Sequence, residues 1–586
     1  MMRPAQVLYP ELETRPFIFS ATVLLLRNSA DQAGGLEALI SQRAAHTQFV
    51  PSMYVFPGGR VDADDAYWVG YWAALFPTHW PHRTRCQALA AVRECFEEMG
   101  VALAQDAAQQ ALSTAQCAQL QRQQPFFAQL AQQGWQPAIA DLAWVCDRVP
   151  PASLERRYHT AFFYALMPAG QVVQPDLQEQ LDAVWLPVRS SAWQGEAGAQ
   201  RYPMIAPTRE ALQTLQAFDH VADALHSAHA HTDMQRQAAH YFAREVYLQG
   251  QLQRISHTHL AYAEAELIDP TGRQRLAMDW QYQKPVALTR SVQRLTCPNP
   301  GMMSGPGTNT YLIGSAEQGF IVLDAGPADH GHLRRILQAT QGRILSLFCT
   351  HSHPDHAPGA RLLHRYLRRQ GQVLPLLGMA SAPTAAAHSR FTPTVQVQHG
   401  QILHIPATQD KQALTLQCIH TPGHAANHVC LLLQEDGILF SGDHILSGTT
   451  TVISPPDGDM QAYLDALDTL DAACQQWDAQ YILPAHGHVL GGFGSTDPAQ
   501  LPATGVVAGA GARRIVAYYR QHRLAREAKV IAAMRQLSVQ GNTPEIRQQL
   551  LPLVYDDAPP ALWPVAERSL QAHITRILAL DLLAKA

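Results

Sequence analysis

Charge, paired cysteine and long apolar runs are all scarce in this 586-residue chain. Charged residues make up 16%, and 43 basic against 48 acidic side chains leave a formal net charge of -5. No chain-wide field therefore draws it to nucleic acid or an anionic membrane, and any such partner has to be met by a local patch. The nine cysteines include no CxxC pair and no regular spacing, and Cys349, Cys418 and Cys430 sit inside apolar strand-like runs. They read as buried free thiols of a reducing compartment, not as a disulfide framework. The run ATVLLL at residues 21–26 falls far short of the roughly 20 apolar residues of a membrane helix, and MMRPAQVLYPELETRPFIFS lacks the core of a signal peptide. A cytoplasmic location and no membrane partner are expected.

What is present is an ordinary globular composition, 47% hydrophobic, in a chain long enough for several domains. From Arg15 to Phe218 strand-like and helical runs mix, as in an α+β segment. The Ala/Gln-rich stretch between Gln105 and Gln133 predicts an exposed helical insertion. Residues 219–284 are His- and Gln-rich and predict a helical connector; His220, His226, His229, His231 and His240 lack ligand spacing and read as a solvated helix face. Strands return from Val286. After the linker LPATGVVAGAGA, the region from Arg513 onward is helical.

Against this background FCTHSHPDHAPGA, residues 348–360, sets three histidines and an aspartate within six positions. The preceding RILSLFCT is a buried-strand signal, so His351 and His353 fall just past a strand end and, two apart in extended chain, project to one side. Asp355 and His356 follow at the start of the helix GARLLHRYLRR. Imidazole and carboxylate are zinc donors, and a catalytic zinc keeps one position open. Four donors in six residues exceed one open site and suit two metals. Downstream, His424 in HTPGH, Asp443 in FSGDH and His486 in LPAHGH each end a strand-like run.

This order of motifs resembles the metallo-β-lactamase fold over residues 285–500. The resemblance implies an αββα sandwich in which His351, His353 and His424 hold one Zn2+, Asp355, His356 and His486 hold a second, and Asp443 bridges them. It also implies a catalytic role for Asp355 and an orienting one for Asp324, in IVLDAG. Such a metal pair lowers the pKa of a shared water and stabilises the charge that develops on an attacked ester, thioester or phosphodiester. The best-known β-lactamases of this fold place a cysteine where Asp443 stands, which argues against antibiotic hydrolysis. CPNPGMMSGPGTNTYLIG, HTPGHAANHVCLLL and SPPDGDMQAYLDAL resemble the lactamase-beta-like-2 branch, whose members include a single-strand endoribonuclease and carry a winged-helix-like tail. Residues 512–586 resemble that tail, and Arg520, Arg523, Arg526 and Lys529 would make part of one helix basic.

A second constellation lies upstream. In AAVRECFEEMGV, Glu94, Glu97 and Glu98 stand at i, i+3 and i+4, three carboxylates on one helix face. A hard divalent cation, Mg2+ or Mn2+, would relieve their repulsion and reach a phosphate substrate. With YVFPGGRVDADD this resembles the Nudix box: Gly59, then Arg93-Glu94, Glu97, Glu98, Gly100 and Val101. Asp65 stands at the first Glu position, and about twenty extra residues precede the Arg-Glu pair. The resemblance, nearest to the coenzyme A diphosphatase branch, implies an α/β/α sandwich over residues 15–218, with Glu94 and Glu98 catalytic and all three glutamates metal-binding. The approach SQRAAHTQFVPSMYVFPGG lacks the arginine and glycine of the coenzyme A motif. Glu179 and Asp182 are further candidate carboxylates.

The fold expected is thus an α/β and α+β multidomain chain: Nudix-like 15–218, connector 219–284, metallo-β-lactamase-like 285–500 and winged-helix-like 512–586. The function expected is a metallohydrolase whose zinc pair cleaves an ester-type bond, in single-stranded RNA or a thioester, while a Nudix site hydrolyses a nucleoside-diphosphate-linked compound. The alternative is a glyoxalase-II-like or acyl-coenzyme A thioesterase whose Nudix domain is a coenzyme A diphosphatase or a nucleotide sensor.

Overall fold

Strand β1 (Ile18–Asn28) shows how the amino-terminal unit is layered. Alternate side chains leave a strand on opposite faces. Val23 and Leu25 join Leu89, Val92 and Phe96 in one core, while Leu24 and Leu26 join Leu212, Leu215 and Ala224 in another. β1 pairs antiparallel with β2 (Leu36–Gln42) and β3 (Gly58–Arg60). Its parallel partner is β5, the second of the antiparallel strands β4 (Leu142–Val149) and β5 (Tyr158–Leu166). Helices α1 (Ala63–Tyr71), α2 (His82–Met99), α3 (Phe126–Gln132), α4 (Ala206–Leu215) and α5 (Val221–Ala230) cover it, α2 on one face and α4 and α5 on the other. α2 stops where Gly100 turns left-handed, at φ 69°.

The structure, a computed structural model, describes residues 8, 17–29, 35–47, 50–150, 156–230, 240–256, 259–270, 272, 274–492 and 511–585; His231 and residues 501–510 of the linker lie outside them. The chain divides into two compact units, Glu13–Phe242 and Met1–Leu12 with Ala243–Ala586.

Two expectations for the intervening segments are corrected. The Ala/Gln-rich stretch is not an exposed helical insertion: α3 buries Phe126, Phe127 and Leu130, and Phe126 stacks on Phe96 at 4.6 Å. Aromatic burial outweighs helix propensity there. Nor is 219–284 a helical connector. α5 places Val221, Ala224 and Ala228 in the first unit's core. β6 (Arg244–Leu248), β7 (Gln251–Ile255) and β8 (Leu276–Ala277) form a small sheet of the second unit, beside α6 (Tyr262–Ile268).

The carboxy-terminal unit is built on two facing sheets of seven and six strands. The first contains β9 (Asn309–Ser315), β10 (Gly319–Leu323) and β11 (Ile344–Phe348). The second contains β12 (Leu414–His420), β13 (Val429–Leu433), β14 (Ile438–Gly442) and β15 (Tyr481–Pro484). Tyr311, Ile313, Leu323 and Phe348 meet Leu416, Leu431, Phe440 and Leu483 between them. On the first sheet's outer face Leu312 and Val322 pack with α7 (His330–Thr340) and α8 (Ala357–Arg369). On the second's, Leu432 and Ile482 pack with α9 (Met460–Gln476) and α10 (Ala512–Gln536). The layers run helix, sheet, sheet, helix. α10, α11 (Pro544–Val554) and α12 (Trp563–Ala579) share a further core of Val530, Met534, Leu550 and Ile574. The described residues of 511–585 are helix and turn without a strand, so the wing of a winged helix is absent among them. No described helix is long and apolar enough to cross a membrane, and all nine cysteines are free thiols.

Candidate metal centre

Strands of both sheets deliver the predicted donors to one edge of the sandwich. His351 and His353 follow β11, His424 follows β12, Asp443 follows β14 and His486 follows β15; Asp355 and His356 precede α8. His353 Nδ1 lies 2.9 Å from both His351 Nε2 and His424 Nε2. Asp443 Oδ2 is 3.9 Å from His351 Nε2 and 3.6 Å from His424 Nε2. Its other oxygen, Oδ1, is 3.5 Å from His356 Nε2 and 3.3 Å from His486 Nε2. Asp355 Oδ2 completes the second group, 3.5 Å from His356 Nε2 and 3.3 Å from His486 Nε2. Among the described residues, these are the two groups of three or more donors whose ligand atoms lie within 4.8 Å of one another.

The donor set fits metal. Asp443 Oδ1, His356 Nε2 and His486 Nε2 are buried with no hydrogen-bond partner in the protein, a costly arrangement unless something else satisfies them. The remaining histidine nitrogens are held from behind. His424 Nδ1 is 2.8 Å from the Val452 carbonyl and 3.1 Å from Thr451 Oγ1, and His486 Nδ1 is 3.1 Å from the Gly307 carbonyl. His356 Nδ1 is 3.0 Å from Asp324 Oδ2, and Asp324 also accepts from the amide and hydroxyl of Thr350 at 2.8 and 2.7 Å. Such backing fixes ring orientation and tautomer. Asp324 takes this place with φ at 50°, a left-handed conformation uncommon outside glycine.

The electrostatics divide the histidines. Burial holds His353 down at about 3, and burial likewise pushes His351 and His424 below the usual histidine range. These are neutral imidazoles, the form that ligates metal. Burial also opposes charge on His356 and His486, but Asp355 and Asp443 outweigh it: His486 rises to about 10 and His356 lies well above its usual range. The two carboxylates thus call for positive charge at the second group. Two histidines escaped the sequence reading. His428 Nε2 accepts the amide of Asp443 at 3.1 Å, and His444 stacks on Tyr463 at 4.4 Å. His428 stands in HTPGHAANH, where the density of histidines is the one signal that could have marked it.

The amino-terminal glutamates are arranged differently. Glu98 is buried, accepting from the Gly58 amide at 2.9 Å and from Gln180 Nε2 at 2.7 Å. The Glu94 carboxylate packs close against Gly59 of β3, and a Cβ on the neighbouring Gly58 would fall 2.3 Å from the Ala21 carbonyl, so that position needs glycine. Arg93 Nη1 binds Glu94 at 2.9 Å and Glu97 at 3.0 Å, and Arg93 also donates to Asp65 through Nε and Nη2, both at 3.1 Å. The repulsion between carboxylates is therefore met by a guanidinium, and Glu94, Glu97 and Glu98 are not gathered as the carboxy-terminal donors are. Asp65 caps α1 and anchors Arg93. Burial raises Glu98 to about 8 and Glu94 to about 7. Asp182 accepts from Gln42 N and Tyr54 OH, and Glu179 pairs with Arg43, which also lies 3.7 Å from Glu98, so Glu179 is linked to the glutamate face through that guanidinium. Gln180 was the unforeseen participant.

The basic helix is also corrected. Arg520 pairs with Asp468, Arg526 with Asp557 and Lys529 with Asp556, while Arg523 is buried over the Tyr463 ring and donates to the Thr451 carbonyl. These cations are engaged within their own unit.

Residues 304–486 match the metallo-beta-lactamase superfamily and residues 547–584 match the beta-lactamase associated winged helix domain. An atrochrysone carboxyl ACP thioesterase of Aspergillus chevalieri is 30% identical over 255 residues, 42% of this chain and 67% of that protein. A beta-lactamase-like protein 2 homolog of Drosophila melanogaster is 29% identical over 301 residues, 50% of this chain and 88% of that one. Among solved structures, a NUDIX hydrolase from Alicyclobacillus acidocaldarius is similar at 22% identity and a TM-score of 0.31, covering 36% of this chain and 97% of that one.

Proposed function

We propose, from the premise that this chain belongs to the metallo-β-lactamase superfamily and is a hydrolase of it, that its carboxy-terminal unit holds two zinc ions and cleaves an acyl thioester. The observation that carries this reading is Asp443, with one oxygen toward each donor group. His351, His353 and His424 would hold one ion and Asp355, His356 and His486 the other. When bound, the zinc pair supplies Lewis acidity that polarises the carbonyl and activates water. The protein's own part is positional. Thr451, Val452, Gly307 and Asp324 fix the rings, and the buried sheet edge keeps bulk water from competing. Asp355, 29% exposed while Asp443 is 10% and His356 and His486 are 3% or less, faces the open side and is placed to move the proton between attacking water and leaving thiolate. The thioester is favoured over RNA because a relative at 30% identity is named a thioesterase.

The amino-terminal unit is read as a Nudix-like module for a nucleoside-diphosphate-linked compound, centred on Glu94 and Glu98. With Arg93 engaging Glu94 and Glu97, these residues do not fit a ready divalent-metal cage.

Incubating the protein with acyl-pantetheine and measuring free thiol tests the first reading. Thiol release that Asp443→Ala abolishes supports it; no release, or release that survives Asp443→Ala, ends it. RNA fragments without thiol would transfer the activity to phosphodiesters.

A further inference from the structure

Residues 330–400 carry eight arginines against a single carboxylate, Asp355 of the metal centre, in a chain whose overall balance is negative. Among the described residues none of the eight makes an ion pair, whereas most cations of α10 do. Eight arginines over one carboxylate in this span make a local excess of positive charge.

Their placement is ordered. On α8, Ala360, Leu363 and Leu367 are buried toward the sheet. Arg361, Arg365, Arg368 and Arg369, at i, i+4, i+7 and i+8, share the face turned away from it. Arg334 of α7 and Arg390 are exposed as well, and Arg361 donates to the Arg390 carbonyl at 3.0 Å. A groove of about 430 Å³ lined by Ala328, Pro358, Arg361, His364, Arg365 and Thr392 runs beside them. Along the chain, Pro358 of the groove lies two residues past His356 and Ala328 four past Asp324. Helix C-termini favour basic residues, which accounts for Arg368 and Arg369 but not for the others.

We infer that this arginine face docks an acidic protein that carries the acyl group into the metal centre as a thioester, an inference that rests on the thioester reading. Arg361 to Arg369 spans about 12 Å along the helix, and α7 adds a second row, more than one diphosphate group covers. Guanidinium groups pair bidentately with carboxylates and shed water readily, which suits a protein surface rich in Asp and Glu. Single-strand binding gains from successive stacking aromatics, and Tyr366 is the one exposed aromatic among the described residues of 330–400, which favours the protein partner.

The test compares two substrates on the full chain, acyl-pantetheine and the same acyl-pantetheine attached to an acidic carrier protein. The triple variant Arg361→Glu, Arg365→Glu, Arg369→Glu is expected to raise KM for the carrier-bound thioester about tenfold or more, with kcat and the KM of free acyl-pantetheine unchanged. Raising salt from about 50 to about 300 mM should do the same to the wild type and little to the variant. Equal effects on both substrates, or none, overturn the inference. The pair Arg334→Glu, Arg390→Glu, made separately, should shift KM in the same direction; retained zinc content shows that either variant is folded. Binding of the labelled carrier to Asp443→Ala, followed by fluorescence anisotropy, needs no turnover. Carrier binding lost only with the arginines, in a protein that fails to cleave acyl-pantetheine, keeps the docking surface and removes the thioester reading. Arginine-dependent binding of a single-stranded oligonucleotide that the carrier cannot displace overturns the inference.

Discussion

Asp443 stands between two sets of imidazoles, and removing its carboxylate leaves each set without its shared oxygen. Asp443→Ala is expected to lower thioester turnover by about a thousandfold or more and to weaken both metals together, read by kinetics and by competition with a chromophoric chelator. Asp324→Asn acts one step back. It takes the carboxylate from His356 Nδ1 and should weaken one metal by about 10–100-fold while sparing the other. The donors were legible because each follows a strand-like run or opens a helix, a position visible in one sequence. Their tethers, the Gly307 and Val452 carbonyls, were not, because main-chain acceptors carry no residue signature. In the amino-terminal unit the helical spacing of Glu94, Glu97 and Glu98 was legible, but that Arg93 turns to them was a matter of rotamers. Glu98 gives a pH prediction there. Its folded value of about 8 lies above the ordinary 4.5, so the folded unit binds a proton that the unfolded chain releases in between. Its contribution is fully present below about pH 4.5 and is lost as pH rises through about 8, a change on the order of a few kcal/mol. Glu98→Gln should flatten that slope in denaturant titrations run across this window.

At the scale of elements, the segment between β14 and α9 links the carboxy-terminal helices to the metal centre. Tyr519 OH accepts from Leu446 N at 3.2 Å and donates to the Thr449 carbonyl at 2.8 Å, Arg523 holds the Thr451 carbonyl, and Ser569 Oγ accepts the Ile453 amide at 3.2 Å. Thr451 and Val452 in turn contact His424 Nδ1. Arg523→Ala should therefore lower the melting temperature and weaken the metal held by His351, His353 and His424 more than the other. Calorimetry and chelator competition would show it; zinc affinity unchanged in a destabilised protein would contradict the link. Gly423 marks a close approach in the same region: at φ 136°, an added Cβ would sit 2.4 Å from Tyr463 Cα. The sheet of β6 and β7 shows why some elements stayed hidden. Its strands, REVYL and QLQRI, are short and polar, and composition alone favours helix there. The clue was Gln249-Gly250, both at positive φ (53° and 71°), the signature of a two-residue hairpin between Leu248 and Gln251.

At the scale of the molecule, the two compact units have separate hydrophobic cores. Glu98→Gln should accordingly leave thioester hydrolysis within about twofold of wild type, assayed on acyl-pantetheine. The modest net charge conceals a strongly basic stretch, which shows that a whole-chain balance says little about a local surface. The layered sandwich was expected from the family resemblance that the strand-end motifs carry, whereas which cations remain unpaired depends on contacts remote in sequence, such as Arg526 with Asp557. The most direct measurement is zinc per chain in the purified, zinc-reconstituted protein by elemental analysis, wild type beside Asp443→Ala. About two zinc ions in the wild type and a marked loss in the variant are expected from a bridged pair. No zinc in the wild type, or two retained without the Asp443 carboxylate, would contradict it.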